Sequence, residues 1–229
     1  MKTETFRYDL HVHTAEASAC AKGSAAEMAE MYRREGYTGI VITDHFFTGS
    51  TTVPCELPWE ERVRGLKKGF ENAKKRGDNI GLDVFYGWEY TFGRGTDFLT
   101  LGLDSDWLLA NPDVCDIDVT EYIDRVHTAG GYIIHAHPFL EADWVPYIRL
   151  LPRYEDAVEV INAPGSSFMN DRAAEYAKAY NLTVCAGSDA HDVNWKCFGG
   201  IETNRRLQSI QDLIETMKKR EHRVFAYQK

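Results

Sequence analysis

The sequence predicts an α/β fold in which a parallel sheet closes into a barrel, formed by a single domain over residues 1–229. Short apolar runs with strand character alternate with helical patterns, which favours a parallel sheet with helices outside it. Seven such runs in a chain of 229 residues favour a barrel over an open sheet. Polar residues of the metal-binding types stand at the ends of these runs, where barrels of this class place their active sites.

The predicted strands are short, rich in Val, Ile, Tyr or Phe, and bounded by Gly, Pro, Asn or Asp. They cover residues 8–13, 39–43, 84–91, 98–103, 132–136, 157–162 and 183–187.

Five helices are predicted between or after the strands, over residues 24–35, 59–76, 120–129, 170–180 and 209–220. The first opens with Ser24 and Glu27 in the spacing of a capping box, and Gly36 ends it. The last carries apolar residues at helical spacing, which indicates an amphipathic helix packed on a core.

Composition excludes several classes of protein. A formal net charge of −9 argues against an extended nucleic-acid interface, which usually needs a basic face, although it permits a small anionic substrate. No apolar run approaches the ~20 residues that span a bilayer, and the first residues lack the apolar stretch of a signal peptide. Five cysteines without a Cys-x-x-Cys pair predict free thiols. We therefore expect a soluble, cytoplasmic protein with no membrane partner.

Pairs of metal-type residues stand at the ends of three predicted strands. Side chains two positions apart on a strand point to the same face, so each pair projects two ligands in one direction. The pairs are His11 with His13, His135 with His137, and Asp189 with His191. A further histidine, His45, follows the strand 39–43, so six of the eight histidines occupy such places. This clustering predicts a metal centre that holds more than one ion.

Glu89 lies within an aromatic strand, where an unpaired carboxylate would be costly to bury. A bridging role between two metals would compensate its charge, whereas the alternative is an edge-strand glutamate that faces solvent. His137 is favoured as a ligand because it ends its strand. His135 would lie one layer deeper, as a ligand, a supporting group or a core histidine. Asp44 either orients a ligating imidazole or caps the next turn.

Together these motifs resemble the PHP (polymerase and histidinol phosphatase) family of metal-dependent phosphoesterases. The resemblance implies a distorted (β/α)7, TIM-like barrel with two or three divalent metal ions, Zn, Mn or Fe, at the carboxyl-terminal rim. It implies as metal ligands the residues His11, His13, His45, Glu89, His137, Asp189 and His191.

Two positions depart from the family pattern. Many members carry another His or Asp several residues after the first His pair, where this chain offers only Glu16 or Cys20. Many also carry a His on the strand after the Glu, where Asp97 is the acidic residue here. Occupancy of a third metal position therefore depends on these three residues.

The resulting hypothesis is hydrolysis of a small phosphate ester, with a phosphomonoester favoured. Two metals would hold a bridging water, lowering its pKa from about 15.7 toward about 7, and the hydroxide would attack phosphorus. His135 is the candidate to protonate the leaving group, and Arg94, between two glycines, is the candidate to clamp phosphate. The alternatives are a metal-dependent phosphodiesterase or exonuclease, an amide or ester hydrolase, and a non-catalytic metal-binding protein.

Overall fold

The computed structural model describes residues 5–229 and contains one mixed sheet with helices packed around it. Its strands are β1 (Phe6–Val12), β2 (Gly39–Ile42), β3 (Asp83–Thr91), β4 (Asp97–Leu101), β5 (Tyr132–Ala136), β6 (Ala157–Asn162), β7 (Thr183–Gly187), β8 (Cys197–Thr203) and β9 (Arg223–Gln228). Its helices are α1 (Ala25–Arg34), α2 (Trp59–Ile80), α3 (Ser105–Ala110), α4 (Val119–Thr128), α5 (Ser167–Tyr180) and α6 (Ile210–Lys218).

The strand order is β7-β6-β5-β4-β3-β2-β1-β8-β9, and the sheet curls until it is nearly closed. Beyond the end of β7, the backbone N–H of His13 donates to the carbonyl of Ala190 at 3.0 Å, so the chain after β7 lies beside the end of β1. The ends of β1, β2, β3, β5 and β7 therefore share one rim. This arrangement confirms the barrel-like α/β fold.

The sheet differs from seven parallel βα units in two respects. First, β4 runs antiparallel to both β3 and β5. Only residues 92–96 connect β3 to β4, and a parallel crossover needs a dozen or more residues, so the connection forms a hairpin.

Second, β8 and β9 form an antiparallel pair that continues the sheet beyond β1. Strand β8 was not predicted, because a glycine pair, Gly199 and Gly200, interrupts its strand pattern. The structure explains the second glycine, since a Cβ atom on Gly200 would collide with the backbone oxygen of Tyr8 on the neighbouring strand.

The interior of the barrel is apolar below the rim. Tyr8, Leu10, Val41, Leu99 and Ile134 are buried there in one cluster. A buried aliphatic side chain stabilises a fold by ~1.5–3 kcal/mol relative to an exposed one, so this cluster holds the strands together beneath the polar residues. Separate apolar clusters lie between the outer face of the sheet and the helices.

The five predicted helices are present, with different boundaries for some of them. The capping box of α1 is confirmed, because the Ser24 side chain accepts from Glu27 N–H and the Glu27 carboxylate accepts from Ser24 N–H. Helix α2 continues to Ile80, where Gly81 ends it in the left-handed conformation. Helix α3 was not predicted. No helix within residues 5–229 combines the length and apolar character needed to cross a membrane.

Candidate metal centre

The seven residues predicted as ligands lie together at the rim of the barrel. They form three overlapping groups whose potential ligand atoms lie within 4.8 Å of one another. The groups are His13, His45 and His191; His11, His13 and Asp189; and His11, Glu89 and His137. Residues up to 180 positions apart in the chain thus converge on one place.

Glu89 occupies the middle of the cluster and is almost fully buried. Its Oε1 atom lies 3.2 Å from Nε2 of His11 and 3.2 Å from Nε2 of His137. Its Oε2 atom lies 2.6 Å from Nδ1 of His45 and 3.6 Å from Nε2 of His13. The carboxylate therefore touches imidazoles that lie on β1 or directly after β1, β2 and β5, so it could be shared between neighbouring cations.

Asp189 provides the second carboxylate of the cluster. Its Oδ1 atom lies 3.2 Å from Nε2 of His13 and 3.4 Å from Nε2 of His11. The backbone of Asp189 has φ of 47°, and that of His137 has φ of 29°. Left-handed conformations are strained for non-glycine residues and concentrate at functional sites. Both turns direct side chains back over the barrel mouth.

Strand register explains which side chains face the rim. Glu89 pairs with Leu99, and Asp97 pairs with Ala136. Leu99 and Ala136 belong to the interior cluster, and directly paired residues share a face, so Glu89 and Asp97 also point to the interior side. The register of β1 against β2 shifts between Asp9 and Val12, which changes the side-chain alternation just before the first His pair.

Several buried atoms of the cluster have no hydrogen-bond partner among residues 5–229. They include Nε2 of His11, Nε2 of His13, Nδ1 of His45 and Oε2 of Glu89. A buried polar atom without a hydrogen-bond partner costs ~1–3 kcal/mol, so a group of them pointing at one another is the arrangement expected around a bound cation. Imidazole nitrogens mixed with carboxylate oxygens suit divalent zinc, manganese or iron. The residues therefore fit the divalent metals that the motif resemblance implies.

Charges inside the cluster shift the pKa values of the imidazoles in opposite directions. Burial, reinforced by the positive charge of His45, lowers the pKa of His13 to about 3. Burial also opposes protonation of His45, but the Glu89 carboxylate outweighs it and raises the pKa of His45 to about 11. The pKa of His137 rises to about 9, because its hydrogen bond to Glu89 outweighs burial. The Glu89 carboxylate therefore favours protonation of His45 and His137 but not of His13.

Glu159, which was not predicted as a site residue, supports the cluster from below. Its Oε1 atom lies 3.1 Å from Nδ1 of His11, while its Oε2 atom accepts from the backbone N–H of His137 at 3.0 Å. The Asn162 side chain also donates to Glu159 and to Asp189. The signal was available, because Glu159 is a carboxylate in an otherwise apolar strand, as Glu89 is.

Of the two roles considered for Asp44, the structure supports the orienting one. It accepts hydrogen bonds from the Ser18 hydroxyl at 2.7 Å and from Thr14 N–H at 2.6 Å. The Ser18 hydroxyl lies 3.1 Å from Nδ1 of His13. This chain of contacts fixes the His13 ring so that Nε2 faces the cluster.

His135 does not join the cluster, contrary to the expectation of a catalytic role there. It pairs with Phe98 on the outer face of the sheet, and its Nδ1 atom lies 2.8 Å from Glu155, which also accepts from Tyr176. The strand ends at Ala136 and the left-handed backbone of His137 turns that ring inward. The two histidines therefore do not share a face.

The other predicted residues are distributed around the rim. Arg94 is exposed in the β3–β4 turn and forms no ion pair with another residue of the described chain. Asp97 is buried 4.0 Å from Nδ1 of His137. Glu16 is occupied elsewhere, because it accepts from the Ala25 N–H and from the Asn72 side chain.

Cys20 lies at the opening of the site and borders the same cleft as His45 and His191. Partial burial raises its pKa, but the two nearby imidazoles outweigh the effect and lower the pKa to about 6. A cleft of about 330 Å³ opens here and is bordered by both the cluster and Trp144, whose side chain is 53% exposed. The cluster is thus accessible to a small molecule.

A model of the PHP-associated family matches residues 168–221. No curated protein matches the sequence. A two-domain protein from Bacteroides vulgatus, described as containing a predicted PHP-like metal-dependent phosphoesterase, superposes with a TM-score of 0.74 at 15% identity, over 97% of this chain and 65% of that one. PsfC from Pseudomonas syringae superposes with a TM-score of 0.64 at 18% identity, over 99% of this chain and 92% of that one. A lesion-specific endonuclease from Pyrococcus furiosus superposes with a TM-score of 0.63 at 15% identity, over 96% of this chain and 58% of that one.

The fold and the site define a barrel-like α/β protein with clustered metal-type ligands at the carboxyl ends of its strands. The family match over residues 168–221 and the shared fold support the resemblance to the PHP domain family that the motifs indicated. The chain spans less than two thirds of the Bacteroides and Pyrococcus proteins, and at these identities the structural neighbours establish the shared fold.

Proposed function

We propose that this protein is a metal-dependent hydrolase of small phosphate esters, with phosphomonoesters as the favoured substrates. One observation carries the proposal: seven His, Asp and Glu side chains converge beside an open cleft, and several of their buried ligand atoms have no hydrogen-bond partner in the described chain. The metal ligands in this proposal are His11, His13, His45, Glu89, His137, Asp189 and His191. They would hold two or three divalent cations, of zinc, manganese or iron.

Divalent cations bound there would acidify a water molecule and neutralise phosphoryl oxygens, which is the chemistry of phosphate-ester hydrolysis. Glu89 joins the groups, because its two oxygens face different imidazoles. Glu159 and Ser18 hold the rings of His11 and His13 in the orientation that presents Nε2 to the cluster. Arg94 stands on the same rim as an exposed cation that a substrate phosphate can reach.

The size and charge of the molecule favour a small substrate. A cleft of about 330 Å³ matches a small organic phosphate. The net charge of −9 disfavours a long nucleic-acid backbone, whose binding depends on basic residues. Phosphodiester cleavage is nevertheless the second candidate function, because one structural neighbour is an endonuclease. The same ligand types also serve amide and ester hydrolases.

The test is hydrolysis of an aryl phosphomonoester by purified protein, stripped of metal and then reloaded with manganese or zinc. We expect activity that is lost with chelator and in His13→Ala, and retained in His127→Ala, which alters a histidine outside the cluster that pairs with Asp156. Parallel assays use an aryl phosphodiester, an aryl ester and an anilide. If the diester is hydrolysed faster than the monoester, the phosphodiesterase alternative replaces the proposal. If the ester or anilide is hydrolysed faster, without inhibition by inorganic phosphate, the amide or ester hydrolase alternative replaces it. A rate insensitive to chelator refutes the metal role.

A further inference from the structure

Large apolar side chains are exposed in the segment that follows β5 and borders the cleft. Trp144, Tyr147 and Ile148 are 53%, 52% and 46% exposed, and they stand close together in the chain. Exposed apolar patches mark places where a ligand or a partner binds. Trp144 also lines the cleft that contains residues of the metal cluster, so the patch begins at the candidate site itself.

Contacts with the turn between β3 and β4 hold this segment in place. Val145 packs closely on Gly95, where a Cβ atom would lie 2.6 Å from Cγ1 of the valine. The Arg149 guanidinium lies 4.8 Å from the centre of the Phe92 ring. Trp144 is therefore carried by a segment that is attached on the side of Val145 and Arg149. Attachment before binding reduces the entropy that is lost when a ligand contacts the indole.

The residues that line the cleft are of two kinds. Imidazoles and carboxylates of the cluster supply its polar part, where cations would hold a phosphoryl group. Leu140 and Trp144 are the large apolar side chains of its lining. Within residues 5–229, no lysine or arginine lines the cleft, so the cluster is the place in it where an anionic group can bind. The organic part of a phosphate ester would therefore meet the leucine and the indole.

An indole beside a phosphate site favours a flat organic group. Aromatic rings stack on tryptophan through their faces, and every nucleobase has such a face. We infer that the substrate of the proposed hydrolysis carries a planar aromatic ring, from a nucleobase or an aryl group, which stacks on Trp144 while the phosphate lies at the metal cluster. The inference rests on the proposed function and adds to it the substrate class and the residue that selects that class.

Two pairs of substrates isolate the ring while keeping the reacting bond. Adenosine 5′-monophosphate is compared with ribose 5-phosphate, and benzyl phosphate is compared with cyclohexylmethyl phosphate. Both members of each pair are esters of a primary alcohol, and they differ in the base or in the planarity of the ring. The metal-loaded wild type is compared with Trp144→Ala and Trp144→Phe. The control is Tyr180→Ala, which removes an exposed aromatic side chain at the end of α5, outside the cleft.

We expect the wild type and Tyr180→Ala to prefer the aromatic member of at least one pair about tenfold in kcat/KM, because stacking on an aromatic side chain contributes an effect of this order. Trp144→Ala should lose the preference while hydrolysing the other member within about twofold of the wild type. Trp144→Phe should keep part of the preference. A preference in the adenosine pair alone identifies a nucleobase, and one in the benzyl pair identifies a general aromatic ring.

Binding without turnover gives a separate readout. Benzylphosphonate and cyclohexylmethylphosphonate, whose carbon–phosphorus bonds are not hydrolysed by a phosphoesterase, are titrated by calorimetry against the same metal-loaded proteins. Tighter binding of benzylphosphonate that disappears in Trp144→Ala, without hydrolysis of any ester, refutes the proposed function and retains Trp144 as the residue that binds the ring.

Two results overturn the inference. The first is a wild type with no aromatic preference in either assay, or with a preference that is unchanged in Trp144→Ala. The second is an equal loss for all four esters in a Trp144→Ala protein that circular dichroism shows to be folded, because such a loss does not depend on the ring.

Discussion

The Glu89 carboxylate lies 2.6 Å from Nδ1 of His45, and this contact joins the third strand to the loop that follows the second. The charge of Glu89 raises the pKa of His45, and the surrounding imidazoles hold the pKa of Glu89 well below its ordinary value, although burial alone would raise it. The pair shows how the cluster is built: one buried carboxylate lies among several imidazoles and provides the negative charge that stabilises their protonated forms.

Glu89→Gln is expected to lower both metal content and phosphoesterase activity. The substitution keeps the size of the side chain but removes the negative charge and one acceptor. Loss of an outer supporting residue typically costs 10–100-fold, so we expect a reduction of about 100-fold or more for this central ligand. Metal analysis by mass spectrometry and steady-state kinetics measure the effect. Full metal content together with full activity would contradict the bridging role.

Glu159→Gln is expected to weaken metal binding about 10–100-fold, because Glu159 orients His11 without itself facing the cleft. Metal affinity is measured by competition with a chromogenic chelator. The control is Glu202→Gln, which alters a carboxylate paired with Arg7 at 2.9 Å on the far side of the sheet. Equal affinities in the two variants would show that Glu159 does not position a ligand.

The stabilisation that a divalent metal gives the protein is expected to increase from pH 6.5 to pH 9. Glu89 raises the folded-state pKa of His45 to about 11 and of His137 to about 9, from 6.5. Their protonation stabilises the metal-free fold fully below pH 6.5, and this contribution is lost as the pH rises toward those values. Metal must displace the same protons, so it binds more tightly at higher pH.

The measurement is the shift in melting temperature on adding zinc or manganese across that pH range. Calorimetric titration in buffers of different ionisation enthalpy counts the released protons. A shift that stays constant with pH, with no proton release, would contradict the assignment of these histidines as ligands.

His135→Gln is expected to lower stability while leaving turnover within about twofold of the wild type. His135 lies on the outer face of the sheet and contacts the buried Glu155 carboxylate at 2.8 Å. Disturbing a buried hydrogen bond to a charged group costs about 1–3 kcal/mol of unfolding free energy. Denaturant unfolding and kcat are compared with those of His137→Gln, which should lose activity. Loss of kcat in a folded, metal-loaded His135→Gln protein would restore His135 as a proton donor.

Arg94→Ala is expected to raise KM for an aryl phosphate and the inhibition constant of inorganic phosphate by about tenfold, with a smaller effect on kcat. A hydrogen bond to a charged group contributes about 1.5–3 kcal/mol, which corresponds to at least this change. Arg94→Lys should recover part of the loss. The control Arg172→Ala removes a surface arginine that pairs with Glu175. Unchanged phosphate inhibition in Arg94→Ala would exclude the clamp.

The secondary structure was largely predictable because strand and helix signals are local. The seven predicted strands formed, and their order along the chain explains the shared rim. The hairpin between β3 and β4 and the added pair β8–β9 were not predicted. Strand direction depends on the length and path of a connection, and Gly199 and Gly200 disguise β8 until the close approach of Tyr8 is visible.

The choice of rim residues was also predictable in part, because metal-type side chains at strand ends stand out against apolar strands. The expectation that side chains two positions apart share a face holds for His11 and His13, which lie together in the cluster, but not for His135 and His137. Alternation holds only while the chain stays extended, and the left-handed turn at His137 ends it.

The amino-acid sequence by itself determined the alternation of strands and helices, the chemical types of the rim side chains, and the motif order that is typical of the family. Tertiary structure alone decided which carboxylates support the imidazoles, that Cys20 rather than Glu16 faces the cleft, and that His135 faces away from it. The reason is physical: periodicity encodes the local direction of a side chain. Contacts between residues far apart in the chain arise only when packing and strand register bring their loops to one rim.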